Sequence, residues 1–189
     1  MNDTTAIKRH VIQAKEATPE ALAPYGQVIG PGIGVASGVG DFYDGAVAVS
    51  KPVNFISDDD TCISLSTIQP RRFEIEYLER HFKHTQSFIP LGGKPFVAVL
   101  GAPTAGDMPD LDSLEAFRFD GQSGFCMHIG TWHEFPFAIE PETNLVVILR
   151  NETTRNLSTE NVKNNEAHGD DLDKKNILQR TGMMFEIKI

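Results

Sequence analysis

Cysteine is scarce in this 189-residue chain, where Cys62 and Cys126 are the only two. Two thiols without a C-x-x-C spacing make no disulfide framework, so a reducing, cytoplasmic setting is expected and each is read as a small core residue. Basic residues are outnumbered, with 17 Lys+Arg against 26 Asp+Glu and a formal net charge of -9. No block of like charge forms a basic arm, which argues against nucleic acid and anionic membrane surfaces as partners. No apolar run approaches the roughly 18 to 20 residues that cross a bilayer. The opening Met1-Asn2-Asp3-Thr4-Thr5 also lacks the basic and then apolar signature of a secretory leader. What the chain does have is 40% hydrophobic residues, 16 Gly and 11 Pro. That is enough apolar material for one globular domain with a real core, and it excludes a disordered or fibrous protein.

Thr18-Pro19-Glu20-Ala21-Leu22 places a hydroxyl at an N-cap and proline at the first helical position. A short helix is therefore predicted to lead into residues 25–29. Residues 30–40 are glycine-rich but lack the Gly-Lys-Ser/Thr ending of a phosphate loop, and are read as a flexible loop over the mouth of a site. Short β-rich runs follow at 46–50, 62–68, 73–78, 87–91, 96–100, 116–119, 124–129 and 144–149, punctuated by Gly, Pro or Asp. Many short strands joined by turns, without long helices between them, predict an all-β domain of the jelly-roll kind with a few short helices. Residues 1–150 are expected to form that β-barrel domain, with its N-terminal helix. Residues 151–189 read as a polar extension, exposed and partly mobile over 151–175, whose final alternation suits a strand returning to a sheet edge.

Two segments carry ligand-type side chains. In the first, Glu79 and His81 lie on one face of an extended chain, Gln86 follows, and Gly92 is read as closing a hairpin. In the second, His128-Ile129-Gly130-Thr131-Trp132-His133 supplies His133 just after a tight glycine turn. The arrangement resembles the double motif of the cupin superfamily, with Glu79 where the first His usually stands, Gln86 where the Glu stands and His128 where a Pro stands. The resemblance implies a cupin-type double-stranded β-helix able to hold a divalent metal on Glu79, His81, Gln86 and His133.

A longer run is similar to the ureidoglycolate lyase family from about Tyr25 to Arg150. It comprises Gln69-Pro70, Leu78-Glu79-Arg80-His81, Gln86-Ser87-Phe88-Ile89-Pro90, Pro109-Asp110-Leu111, Ala116-Phe117 and Trp132-His133-x-x-Pro136. In that family Glu and Gln at the two replaced cupin positions are normal. The resemblance implies a homodimer that splits (S)-ureidoglycolate into glyoxylate and urea in allantoin and purine nitrogen catabolism. Nickel is the metal it implies, with manganese or zinc left open. On this expectation Glu79 or His133 relays a proton and Tyr43 stands where members carry an acid–base histidine. Arg72 or Lys94 grips the carboxylate, and Gln86, Phe88 and Trp132 touch the substrate. Thr67 stands where members carry an arginine. Tyr43 and Thr67 together motivate a second expectation, a related cupin enzyme acting on another small hydroxy- or oxo-acid. The missing His-x-His pair motivates a third, a small-molecule-binding cupin without catalysis.

Each residue also has a plainer reading. His81 can be a hydrogen-bonded core histidine, Gln86 can bridge the barrel by a hydrogen bond, and Glu79 can pair with Arg80 or Arg71. Trp132 can be simple core, and His128 a turn residue. His84 is expected at the surface, with His10 and His168 in solvated terminal segments.

Overall fold

A computed structural model describes residues 7–40, 42–58, 60–158 and 161–189. The opening residues read above for a leader lie outside the described residues. In chain order the first strands are β1 (Lys8–Gln13), β2 (Lys15–Glu16), β3 (Gly26–Ile29), β4 (Ser37–Gly38), β5 (Ala48–Val49) and β6 (Thr61–Ile68). The middle of the chain gives β7 (Glu74–Ile75), β8 (Tyr77–Arg80), β9 (Gln86–Leu91), β10 (Phe96–Gly101), β11 (Glu115–Phe119) and β12 (Gly124–Met127). Then follow β13 (Trp132–His133), β14 (Phe137–Ala138), β15 (Thr143–Arg150), β16 (Val162–Lys163), β17 (Glu166–Gly169), β18 (Leu172–Asn176) and β19 (Met183–Lys188). The helices are short: α1 (Pro19–Leu22), α2 (Asn151–Asn156) and α3 (Ile177–Thr181). None is long and apolar enough to cross a membrane.

Three sheets stack into layers. A five-stranded sheet in the order β3-β12-β9-β15-β6 faces a larger sheet running β16-β17-β18-β8-β13-β10-β11-β2. Between them lies a first core containing Phe88, Phe96, Leu100, Phe117, Phe119, Phe125 and Leu145. The sheet β1-β19-β7 covers the other side of the large sheet and closes a second core with Ile75, Leu78, Val97, Val99, Trp132, Phe137 and Phe185. Strand β10 shows why this happens. Its Phe96, Ala98 and Leu100 enter the first core while Val97 and Val99 enter the second, so it reads as an unbroken apolar run instead of alternating. The result is a mostly-β architecture of the cupin jelly-roll type.

The local signals behave as physics dictates. Thr18 caps α1, its Oγ1 accepting from the Ala21 amide at 3.2 Å. Gly92 and Gly93 both have positive φ, 100° and 75°, and they form a tight turn. That turn does not close a hairpin: β9 pairs with β12 and β15, β10 with β11, β13 and β14, so the glycines carry the chain from one sheet to the other.

The later part of the polar stretch after Arg150, from Glu166 to Asn176, is built into the fold. β17 and β18 form a hairpin, and β18 joins the large sheet against β8. Asp171, Asp173, Lys175 and Asn176 are all buried there. The composition is polar because these charges find partners inside: Asp173 lies 2.9 Å from Lys175 and 3.3 Å from Arg80. The terminal strand β19 forms as expected but pairs on both sides, parallel to β1 and antiparallel to β7, so it is a central strand of its sheet and not an edge.

Candidate active site

Strand register assembles the site. Glu79 in β8 stands opposite His133 in β13 on one side and Lys174 in β18 on the other. Directly opposed residues share a face of the sheet, so Lys174, Glu79 and His133 form a row across three strands that looks into the first core. Phe88 of that core is 6.4 Å from the His133 ring, centroid to centroid. The chain neighbours Arg80, Trp132 and Asp173 turn to the opposite face, because side chains alternate along a strand. There the Arg80 guanidinium lies 4.4 Å from the Trp132 ring, and the indole N–H donates to Thr104 Oγ1 at 2.9 Å.

Glu79, His81 and His133 are all buried, and one ligand atom from each lies within 4.8 Å of the others. Glu79 Oε1 is 3.4 Å from His133 Nε2, and Oε2 is 2.7 Å from Lys174 Nζ. Glu79 thus pairs with Lys174 and His133, not with Arg80 or Arg71. The His81 and His133 ring centroids are 5.1 Å apart. His81 follows the end of β8, and its carbonyl accepts the Gly130 amide at 2.8 Å. Gly130 has φ 83°, so a glycine turn ties the two motif segments together.

Hydrogen bonding constrains the imidazole protons. His81 Nδ1 is 3.2 Å from the Asp171 carbonyl and His133 Nδ1 is 3.3 Å from the Thr131 carbonyl. A carbonyl only accepts, so in neutral His81 the proton sits on Nδ1 and leaves Nε2 as a bare lone pair, whereas His133 has an acceptor at each nitrogen, the Thr131 carbonyl at Nδ1 and Glu79 Oε1 at Nε2. Burial, reinforced by the neighbouring His133, pushes the His81 pKa down to about 3, so this ring is neutral at pH 7. Burial pushes the Glu79 carboxyl upward, but Lys174 and the two histidines outweigh it and hold its pKa well below the usual carboxylate range. For Lys174 burial pulls downward and the Glu79 carboxylate more than reverses it.

The residues fit a divalent ion. His81 Nε2 and Gln86 Oε1 are buried without a hydrogen-bond partner in the protein, a costly state for polar atoms unless something else binds them. One carboxylate and two imidazoles form a donor set suited to zinc, nickel or manganese, and the carbonyls beside Nδ1 of both rings are the supports such ligands usually have.

Three residues around this site are not legible in the sequence. His84, expected at the surface, is 1% exposed; its Nδ1 lies 2.9 Å from Asp171 Oδ2, and its ring is 4.8 Å from that of His81. Asp171 is fully buried and also accepts the Phe82 and Lys83 amides at 3.1 and 2.8 Å through Oδ1. It therefore holds the 81–84 turn and both rings through one side chain and its own carbonyl. Nothing local marks Asp171 or Lys174 in the sequence, since each meets its partner only through strand pairing some 90 positions away.

Other sequence candidates lie apart from the triad. Trp132 faces the second core. Lys94 Nζ donates to the Pro141 and Glu142 carbonyls at 2.7 and 3.4 Å. Arg72 lines a surface cavity with Glu74 and Glu76. Tyr43 is 64% exposed. Thr67 is exposed on β6, its Oγ1 2.7 Å from Asn144 Oδ1. The side chain at that position looks away from the chamber, so this departure gives no reason to prefer another acid. His128 is exposed at its turn, with Nε2 3.3 Å from the Ala23 carbonyl.

Comparison with known proteins gives a consistent answer. The family described as ureidoglycolate lyase matches residues 9–168. The ureidoglycolate lyases of Escherichia coli O1:K1 and Shigella boydii serotype 18 are each 38% identical over 100 residues, which is 52% of this chain and 61% of theirs. The alignment thus spans about three fifths of the length of these relatives. A solved structure of RmlC from Streptococcus suis in complex with dTDP-D-xylose overlaps 48% of this chain and 43% of its own at 9% identity, with a TM-score of 0.32 that is too low to bear on the fold. With its family match running from the first long strand past both motif segments, this chain belongs to the ureidoglycolate lyase family.

Proposed function

We propose that the protein is a ureidoglycolate lyase, cleaving (S)-ureidoglycolate to glyoxylate and urea in allantoin and purine nitrogen catabolism, in the cytoplasm. The observation that carries this reading is a buried carboxylate and two imidazoles converging within the span that matches the family. The substrate carries its hydroxyl, carboxylate and ureido nitrogen on one carbon. Removal of the hydroxyl proton lets a carbonyl form as the C–N bond breaks, and the proton is delivered to the departing urea nitrogen. Glu79, through the carboxylate oxygen left free beside an ion, or His133 in the ion-free site takes the hydroxyl proton, and the other groups of the row keep the charge balanced. Phe88 walls the chamber and excludes water. Glu79, His81 and His133, with the unpartnered Gln86 Oε1 as a further candidate ligand, would hold a divalent ion that supplies Lewis acidity to the hydroxyl when bound.

The test is glyoxylate release from each enantiomer, followed with chelator-stripped protein and after reloading with nickel, manganese or zinc. Turnover selective for the (S) form and restored by a metal is expected. Background rates on both enantiomers under every condition would contradict the reading.

The reading includes a homodimer, supported by the outer face of the five-stranded sheet. Ile63 and Leu65 on β6 are 75% and 58% exposed, and Leu91 on β9 is 55% exposed on the same side. Val146 and Ile148, opposite Leu65 and Ile63, extend the apolar surface, and β6 ends the sheet with a free edge. Such a face and edge are suited to a second copy. Light scattering should give twice the 20.8 kDa chain mass for the wild type and the single mass for Leu65→Glu. A monomeric wild type would contradict the dimer.

A further inference from the structure

We propose that Lys174 receives the substrate's carboxylate, placed there by the β17–β18 hairpin. The inference deepens the lyase reading above and rests on it, but Lys174 stands beyond the residues that match the family.

The substrate brings a negative charge into a buried site, and a cation has to meet it. Among the described residues the other cations near the site are committed elsewhere. Arg80 is on the opposite face with Asp173 and Trp132. Arg71 donates to the Phe135 and Pro136 carbonyls and stacks on Phe137. Arg150 lies 2.8 Å from Asp58 and 3.0 Å from Glu152.

Lys174 differs in two respects. Its Nζ touches the triad directly, 2.7 Å from Glu79 Oε2, while its side chain stays 26% exposed. It also lines a cavity of about 260 Å3 with Tyr77, Val162, Asn165, Glu166 and Ala167. Lys174 therefore stands between an open cavity and the buried triad, where a small anion coming from solvent meets it first. An ammonium has three donors; Glu79 takes one, which leaves donors for a carboxylate. Strand alternation makes the placement specific, because Asp173 and Lys175 on either side pair with each other on the opposite face.

The experiment compares the wild type with Lys174→Met and Lys174→Arg, each first checked by circular dichroism. Calorimetry measures binding of glycolate and of glycolamide, its neutral isostere, and steady-state kinetics measure KM and kcat on (S)-ureidoglycolate. Removing the ammonium should weaken glycolate binding and raise KM by ~10- to 100-fold, the loss typical of a charge-assisted hydrogen bond. Glycolamide binding should stay unchanged, and arginine should restore most of the glycolate affinity. Should Lys174→Met fail to fold with Glu79 uncompensated, the charge-balanced pair Lys174→Met with Glu79→Gln is read against Glu79→Gln alone. Unchanged glycolate affinity overturns the proposal, including the case where kcat alone falls, which would make Lys174 only a positioning residue for Glu79. Equal wild-type affinity for glycolate and glycolamide, or binding of neither, also overturns it. Charge-selective binding that is lost in Lys174→Met, in a wild type that does not turn over ureidoglycolate, upholds the carboxylate partner and defeats the lyase reading instead.

Discussion

His133→Ala lowers kcat/KM on (S)-ureidoglycolate by ~10²- to 10⁴-fold, the range expected when a positioned acid–base group is removed, and it weakens divalent-metal binding together with turnover. His133 is 1% exposed and stands next to Glu79 in register, so no other side chain replaces it. His81→Ala should behave alike in metal binding, because its Nε2 is the other imidazole donor of the triad. The fold should survive both changes. Both rings sit beside the first core without forming its apolar body, and His133 loses only its 3.3 Å contact with the Thr131 carbonyl and its 3.4 Å contact with Glu79, which keeps Lys174 as partner. Kinetics with metal competition titration checks this. Activity within a few-fold of wild type for His133→Ala would remove it from the chemistry.

Asp171→Ala is the most destabilising single change expected, at about 3 to 5 kcal/mol, the cost of removing a buried carboxylate from its charged neighbour Arg150, 3.8 Å away, and from its hydrogen-bond donors. For a chain of this length that corresponds to a Tm lower by roughly 10 °C. The carboxylate is fully buried and serves the Phe82 and Lys83 amides and His84 together, so its loss orphans several donors at once. The charge also makes stability depend on pH. Burial raises the Asp171 pKa, but His84 and the Lys83 amide outweigh it and bring it from 3.8 down to about 2. A carboxyl depressed on folding contributes stability that is fully present above its unfolded value and is lost as pH falls through the folded value. Wild-type Tm should therefore drop between pH 4 and pH 2, beyond the fall seen in Asp171→Asn, which keeps one acceptor oxygen but cannot ionise. Parallel pH profiles for the two proteins would contradict the assignment.

The contrast between what the sequence shows and what it hides follows from distance along the chain. β10, β11 and β15 are legible because apolar runs between Gly, Pro and Asp specify strands locally, and Thr18-Pro19 specifies α1 in the same way. Glu79, His81 and His133, which the fold brings together, are legible because two short motifs carry them. Lys174, Asp171 and His84 are not, since their roles arise only when β18 pairs with β8. The same pairing explains why β17 and β18 form from so polar a stretch: Asp171, Asp173 and Lys175 are matched inside the fold, and composition alone cannot reveal the match. Trp132 illustrates a different loss. Chemistry nominates it for the chamber, yet strand alternation alone puts it on the face opposite His133. Lys94, Arg72 and Tyr43 were likewise nominated by charge or proton chemistry, without a register to place them.

The most direct test of the account is the product balance after mixing the purified, metal-loaded protein with (S)-ureidoglycolate, with glyoxylate, urea and ammonia quantified together and His133→Ala run in parallel. The account predicts glyoxylate and urea in equal amounts, no ammonia, and loss of both products in the variant. Ammonia in place of urea, or glyoxylate no faster than spontaneous decay, would contradict it.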